Sequence, residues 1–400
     1  MSTDAAADFA PTLEAALARL AAVRPQAYAH SRNHLHGAVT RLSPHLTHGL
    51  LQLHQVVGEL QRRHGLELEH KLLQELGWRA YFQHTWRCDS AAIVQSHHPG
   101  PLPDAAYART LPADLREART GVPAIDQAVR ALYATGYVHN HARMWLASYT
   151  VHLRKVHWRA GADWMVAHLL DGDLASNHLS WQWVAGTASS KPYVFNADNV
   201  ARFAPAAWHS PGTVIDADYP ALARLAATPR DVGVEPGAPH DGVAEPPLHT
   251  APPEAGFAAS DARAVAGRDV WLVHPWALGE APAGLLPVAV LDADWHARWP
   301  WSARRWQFVA TRMQALAALR WLGPQPQLRH ALRAARTVQG WCNPHLGAAW
   351  DGLGLAEPPA PWPEPPQRCR SFSAYWAWVQ KHAAQAASPI LNRQGALFHD

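Results

Sequence analysis

The 400-residue chain is poor in cysteine and has no long apolar run, and these shortages exclude several classes of protein. Its three cysteines, Cys88, Cys342 and Cys369, are widely spaced and form no CxxC motif, which argues against a disulfide framework and a zinc site. No apolar run approaches the roughly 18 residues of a membrane span. The first residues have neither the basic nor the apolar segment of a signal peptide. We therefore expect a cytoplasmic monomer without a membrane partner or a bound metal.

Charge is also scarce. Charged residues make up 17% of the chain, against roughly 25% in typical proteins. The formal net charge of +3 is too mild to indicate nucleic-acid binding by itself. Lysine occurs only at Lys71, Lys155, Lys191 and Lys381, so the basic residues are almost all arginine. Arginine suits bidentate phosphate contacts, but the same bias can follow from genome composition.

Tryptophan, in contrast, is abundant, with 20 residues. An excess of this size is compatible with packing, with stacking of an aromatic ligand, and with electron transfer through indole rings. We interpret most of these residues as packing.

The periodicity of apolar residues predicts two regions of different structure. Helical periods dominate residues 1–228, beginning after a predicted N-cap at Thr12 and recurring over 49–63, 71–86, 125–134, 140–156 and 162–169. Residues 229–262 are rich in Pro, Gly and Ala without periodicity, which is typical of a linker. Beyond it, strand-like runs at 269–273 and 285–291 precede a helical stretch over 303–322.

The densest group of polar residues lies between positions 120 and 199. Arg143 on a predicted helix needs a carboxylate partner, and Asp171 and Asp173 follow on a Gly-containing turn. Asp173 can cap a helix that presents Asn177 and Trp181 on one face. Taken alone, this pattern indicates a capped helix with one ion pair, or a site for a planar polar ligand.

A metal site is the other interpretation of the two aspartates. It lacks a third ligand at sensible spacing, and Glu67 with His70 is at best half of a di-iron motif. We therefore expect no metal.

Segments 120–123, 135–144, 158–159 and 170–187, with Asp126, together resemble the flavin-binding core of DNA photolyases and cryptochromes. The similarity extends over about 70 residues with its gaps preserved. Residues 40–46 resemble the family's phosphate-binding turn, where Ser43 as N-cap and Pro44 after it also indicate an anion site on physical grounds. No GxGxxG motif is present, which argues against a Rossmann-type FAD site.

The resemblance implies a mainly α fold, with an all-helical FAD-binding domain over 1–228, the linker over 229–262, and a smaller α/β or irregular module over 263–400. Residues 270–275, 287–295 and 302–316 faintly resemble the start of the family's antenna domain, in reversed order. This module is either a partial antenna-like domain or an unrelated accessory module.

The resemblance also implies FAD as cofactor and assigns residues to it. Those expected at the phosphates and the flavin ring are Tyr28, Thr40, Arg41, Leu42, Ser43, Arg79, Arg143, Asp171, Asp173 and Asn177. Residues expected to receive a flipped-out pyrimidine dimer are Glu75, Trp78, Asn140, Met144 and Trp183. Trp181 and Trp158 match the first two members of an electron-supplying chain, and Glu75, Asn140 and Asn177 join them as candidate catalytic residues.

The sequence departs from the family at several of these places. The usual third tryptophan is missing near Ala105, where Tyr107 is the nearest aromatic residue. Tyr137 and His178 replace a common Trp and Asn, and the loop over 189–196 differs, which puts the choice of lesion in doubt. We expect a blue-light-driven lyase that repairs pyrimidine dimers in DNA. The alternatives are a photoreceptor without repair activity and a photochemically inactive flavin-binding scaffold.

Overall fold

The computed structural model describes residues 9–235, 241–251 and 256–383. Its first half is helical, as predicted. The helices are α1 Leu13–Ala21, α2 Pro25–Ser31, α3 Ser43–Thr47, α4 Leu53–His64, α5 Lys71–Cys88, α6 Ala113–Arg116, α7 Pro123–Thr135, α8 Asn140–Ser148, α9 Trp158–His168, α10 Leu174–Ala185, α11 Ala197–Phe203 and α12 Tyr219–Ala226.

Local capping explains where several of these helices begin and end. The Thr12 hydroxyl accepts a hydrogen bond from the Ala15 amide at 3.1 Å and so caps α1, as predicted. Asp173 caps α10 in the same way through the Ser176 amide, at 2.7 Å. The helix α10 ends at Gly186, whose φ of 76° is a left-handed conformation that glycine adopts without strain.

Helix α10 lies at the centre of the helical region, packed against α5, α8 and α9. It is buried around nearly its whole circumference, which is typical of an interior helix. Close approach to α9 depends on Gly161, because a Cβ atom there would lie 2.3 Å from the Trp181 ring. The residues of α10 are therefore held in place on several sides.

One helix predicted from the sequence is shorter than expected. The pattern over 140–156 predicted a single helix, but α8 ends at Ser148 and a π-helical turn, Tyr149–Leu153, follows it. Arg154, next in the chain, is buried and forms ion pairs with Asp114 at 2.5 Å and Asp231 at 2.7 Å. A helical period does not distinguish these two kinds of turn.

The second half contains a parallel sheet. The strands are β1 Leu248–His249, β2 Asp269–Val273, β3 Leu286–Asp292, β4 Trp301–Ser302, β5 Leu319–Gly323 and β6 Thr337–Gln339. The helices are α13 Ala293–Arg298, α14 Ala303–Leu316, α15 Gln325–Leu332 and α16 Phe372–Ala383. The parallel sheet has the order β5-β3-β2-β6, which reverses between β2 and β6 as in doubly wound sheets. The predicted mainly α fold with an α/β module is confirmed.

The helix predicted over 303–322 is wrong at its end. The helix α14 stops at Leu316, Ala317 is extended with φ −137°, and β5 follows, paired with β3. The run Leu-Ala-Ala-Leu-Arg-Trp-Leu over 316–322 is apolar enough for either structure. Pairing with a strand some 30 residues earlier decides between them, and local periodicity does not report it.

The predicted linker lies along the helical region. The Glu235 amide bonds to the Thr120 carbonyl at 3.0 Å, and the Val243 amide to the Glu117 carbonyl at 2.8 Å. Strand β1, within the same segment, pairs antiparallel with β4. One hydrophobic core extends from the α9–α10 connection to β2 and β3. The domain boundaries at 228 and 262 stay a prediction.

The last described helix, α16, returns to the helical region and packs on α5. A Cβ atom at Gly77 would lie 2.4 Å from the Trp376 ring, so glycine is required for this contact. The three cysteines are free thiols. In the described ranges, each helix is either too short or too polar to cross a bilayer, and no group of three or more potential metal ligands occurs there.

Candidate functional site

The turn between α9 and α10 brings Asp171 together with Arg143 of α8. Arg143 Nη2 donates to both carboxylate oxygens of Asp171, at 2.8 and 3.0 Å, while its Nε donates to the Val138 carbonyl. The Asp171 side chain is almost fully buried. The carboxylate partner predicted for Arg143 is therefore present, and the pair holds the turn against α8.

Asp173, two residues later, is buried to 2% exposure and joins α5 to the start of α10 through its two carboxylate oxygens. Its Oδ2 accepts a hydrogen bond from Gln83 Nε2 at 2.7 Å and lies 3.9 Å from Arg79. Burial alone would raise the pKa of Asp173, but Arg79, His345 and the Ser176 bond outweigh it and lower that pKa. The carboxylate stays ionised at neutral pH.

The inner face of α5 supplies the partners of Asp173. Glu75, Arg79 and Gln83 follow one another at intervals of four residues and so share a face. Glu75 also lies 3.4 Å from Arg32 of the α2 end. Sequence reasoning missed Gln83, although its spacing from Arg79 was a usable signal. Burial, followed by the charge of Glu75, raises the pKa of Tyr28, which places this hydroxyl in the same neighbourhood.

The turn before α3 has an unusual backbone. Arg41 adopts φ 51°, a left-handed conformation that is uncommon for a residue with a side chain and that occurs mainly at functional sites. Leu42 is the N-cap and is buried, so Ser43 is the first helical residue and not the cap that its sequence position suggested. The Thr40 hydroxyl contacts the Leu42 amide at 3.4 Å instead. No described carboxylate lies within ion-pair distance of Arg41.

Asn177 and Trp181 face the interior from α10. The Asn177 side-chain amide donates to the Ala162 carbonyl at 2.9 Å, and no described residue donates to its Oδ1. Trp181 packs on Gly161 of α9. Trp158 lies one turn before Gly161 on the same helix, and its indole N–H donates to Ser96 Oγ at 2.9 Å. The structure thus places both predicted tryptophans on adjoining helices.

Two aromatic paths lead away from Trp158. One passes to His157 at 5.6 Å and on to Tyr107 at 6.3 Å between ring centroids. The other passes to His178 at 6.3 Å and then to Trp299 at 5.7 Å. Sequence reasoning named Tyr107 as the nearest candidate for the missing third aromatic residue. It missed Trp299, which the α/β module contributes from a distant part of the chain.

The residues expected at a DNA lesion lie nearer the surface. Trp183 is 37% exposed, and Asn140 Nδ2 lies 4.0 Å from Met144 Sδ. Trp78 is partly buried because Phe372 of α16 stacks on its ring, with 4.1 Å between centroids and 13° between planes. One face of the expected stacking platform is therefore covered by the chain itself.

Comparison with known proteins adds family information to this geometry. The family described as the FAD binding domain of DNA photolyase matches residues 72–228. A deoxyribodipyrimidine photo-lyase of Streptomyces griseus is 36% identical over 156 residues, covering 38% of this chain and 33% of that protein. One of Thermus thermophilus is 35% identical over 198 residues, covering 46% of each. Residues 72–228 are thus similar to the FAD-binding domain of DNA photolyases.

The similarity is restricted to part of each protein. An archaeal photolyase structure from Sulfolobus tokodaii, described as having two FAD molecules, aligns with a TM-score of 0.42 and 24% identity, over 58% of this chain and 53% of that one. The chain spans between 33% and 46% of the length of the two curated relatives named above. The matched residues 72–228 include α5 and the α9–α10 turn of the FAD-binding domain, whereas Tyr28 and the turn at Arg41 precede them.

The residues present suit FAD, the cofactor of this domain. Thr40, Arg41, Ser43 and Arg79 offer hydroxyl and guanidinium donors, which is the chemistry that a pyrophosphate requires. The Ser176 side chain lies beside Asp173 and helps to lower the pKa of that carboxyl, so the turn keeps a fixed negative charge next to these donors.

Proposed function

We propose that the protein uses light to repair pyrimidine dimers in DNA, with the predicted site residues in the roles that the resemblance assigns to them. Reduced FAD excited by blue light would give one electron to the dimer and regain it after the cyclobutane ring has opened. The observation that carries this proposal is the arrangement of α5. Arg79 and Gln83 on its inner face contact Asp173, and Trp78, next to Arg79 on the same helix, is partly exposed.

Different residues of this chain would then bind the cofactor, bind the damaged bases and transfer electrons. Thr40, Arg41, Leu42 and Ser43 would bind the cofactor's phosphates. Arg79 would lie near the flavin, and Asp173 and Asn177 would hold its ring. Trp78 and Trp183 would stack the flipped-out bases, since aromatic stacking tolerates any base sequence. Glu75 and Asn140 would hydrogen-bond the edges of those bases. Trp181 and Trp158 would return the bound flavin to its reduced form after oxidation.

The test is illumination of the FAD-loaded protein with oligonucleotides that contain a cyclobutane dimer. We expect the dimer to disappear in blue light and to persist in the dark. The variant Trp183→Ala should bind FAD normally but repair more slowly. Persistence of the dimer in light, with FAD bound and reduced, would contradict repair.

The Trp78–Phe372 stack favours one other candidate, a light-responsive protein without repair activity. In that case α16 would close the base-binding platform permanently, and its contact with α5 would be the structure that responds to light. The variant Phe372→Ala distinguishes the two functions. Faster repair by Phe372→Ala than by the wild type supports a repair enzyme with a partly covered site, whereas no repair by either protein supports the photoreceptor.

A further inference from the structure

A buried cation from the α/β module lies directly behind the turn that carries Asp171 and Asp173. Arg305, in the first turn of α14, is 1% exposed. Its Nη2 donates to the Gly172 carbonyl at 2.6 Å and its Nη1 to the Val166 carbonyl at 3.1 Å. The guanidinium carbon lies 3.9 Å from the centroid of the Trp301 ring.

The charge of Arg305 has no direct counterion among the described residues. No described carboxylate lies within 4.0 Å of its guanidinium, and its buried Nε has no hydrogen-bond partner. Burial lowers the pKa of Arg305 to about 9, although Asp171 and Asp173 act to raise it. The side chain is therefore a cation at neutral pH, held mainly by carbonyl oxygens and an aromatic ring.

Burying a charge without a counterion lowers the stability of the fold, so the presence of Arg305 in a packed core points to a role other than stability. The surroundings show how close the fit is. A Cβ atom at Gly172 would lie 2.4 Å from Arg305 Nη1, so glycine is needed where the arginine meets the turn. Burial and the charge of Arg305 together lower the pKa of His48 to about 3, which keeps that neighbour neutral.

The charges around the turn do not balance. Asp171 is paired with Arg143, and Asp173 lies 3.9 Å from Arg79. With Arg305 included, three guanidinium groups surround two carboxylates. The excess positive charge would stabilise an anionic ligand at the turn more than a neutral one.

We propose that Arg305 is a positioning residue that holds the Asp171–Asp173 turn through the Gly172 carbonyl, and that its uncompensated charge raises the reduction potential of the bound flavin. The proposal rests on the proposed function only in placing FAD at this turn. The α/β module would then determine how readily the cofactor of the helical domain is reduced.

The experiment compares three variants of the full chain loaded with FAD. Arg305→Gln removes the charge and keeps a hydrogen-bond donor, and Arg305→Lys keeps the charge. Arg312→Gln is the matched control, because Arg312 is a buried arginine two turns later on α14 that pairs with Glu280 at 2.6 Å. The reduction potential of the flavin is measured by dye equilibration, together with the melting temperature.

We expect Arg305→Gln to shift the one-electron equilibrium about tenfold towards oxidised FAD, which is ~59 mV. Arg305→Lys should stay within about twofold of the wild type, since its charge is retained. Arg312→Gln should lower the melting temperature without moving the potential.

Three results would overturn the proposal: an unchanged potential in Arg305→Gln, an equal shift in Arg305→Lys, or a similar shift in Arg312→Gln. If Arg305→Gln does not fold, a tenfold shift in Arg305→Lys still overturns it. FAD-loaded wild type that repairs no DNA would contradict the repair function alone, since the potential is measured without DNA. A wild-type protein that binds no FAD would overturn both proposals.

Discussion

The inner wall of the helical region and the carboxyl edge of the parallel sheet are built in opposite ways. The helical wall presents partly exposed arginines, such as Arg79 and Arg143, next to buried carboxylates. The sheet edge is closed by aromatic rings, with Trp276 stacked on His345 at 4.5 Å and 9°. Open polar surface is suited to holding a charged ligand, and packed aromatic surface is suited to holding another part of the protein.

Doubly wound sheets usually bind ligands at this edge, where the strand order reverses. Here the reversal lies between β2 and β6, and His274, just after β2, bonds through Nε2 to the Trp341 carbonyl, just after β6, at 2.8 Å. His345, in the loop that follows β6, packs against the start of α10, where the Leu174 amide donates to His345 Nε2 at 3.2 Å. The edge that could have been a ligand site instead supports the site of the other region.

The largest effect should come from opening the aromatic edge. Trp276→Ala removes a buried indole from the stack with His345 and should lower the free energy of unfolding by about 3–5 kcal/mol. Trp183→Ala, at 37% exposure, is the matched control and should cost much less. Chemical denaturation measures both. Equal costs would show that the sheet edge is no better packed than the surface.

A second change addresses the charged residues of the helical region. Asp173→Asn keeps an N-cap residue on α10 but removes the charge that faces Arg79. Each charge-assisted hydrogen bond to FAD that is lost should weaken FAD binding by about 1.5–3 kcal/mol. Flavin absorbance of the purified protein measures the loss. Asp218→Asn, an exposed N-cap of α12, should retain FAD. Full FAD occupancy in Asp173→Asn would show that the wall does not bind the cofactor.

Removing the expected stacking platform should have a smaller effect, confined to DNA. Trp78→Ala should weaken binding of dimer-containing DNA by roughly 1–3 kcal/mol and leave FAD absorbance unchanged. Competition binding with undamaged DNA of the same sequence isolates the lesion-dependent part. Equal affinity of Trp78→Ala and wild type for the lesion would place base stacking elsewhere.

The last effect is absent at neutral pH and appears only in acid, where titration distinguishes the two surfaces. Burial lowers the pKa of His274 to about 4 and that of His345 to about 3, and each ring has one donating and one accepting nitrogen, as a neutral imidazole requires. Below pH 6.5 these two histidines are protonated in the unfolded chain but stay neutral in the folded protein. Stability should be unaffected above pH 7 and should fall by about 1.4 kcal/mol per pH unit for each histidine as the pH drops towards 4.

Urea unfolding between pH 8 and pH 4.5 measures this slope. His345→Gln should be less stable than the wild type at neutral pH but should lose stability less steeply in acid. A slope identical to that of the wild type would mean that His345 does not titrate on unfolding.

Much of the fold follows from short-range sequence patterns. The Thr12 and Asp173 caps, the bounds of β2 and the helical period of α5 are all visible within a few residues of each feature. The family resemblance added the Arg143–Asp171 pair, whose members lie 28 residues apart. Boundaries were wrong where two structures share one local pattern, as in the strand that replaces the end of a helix at Leu319–Gly323.

The sequence by itself determined the helical FAD-binding domain, the caps of its central helix and the residues expected at its cofactor. Only the tertiary structure placed Gln83, Arg305 and His345 around the Asp171–Asp173 turn, across 90, 133 and 171 residues of chain. It also put Phe372 on Trp78. Caps and periodicity depend on neighbours within a turn or two of backbone. Whether an arginine is buried without a counterion, or a ring covers a binding face, depends on which distant segments pack together.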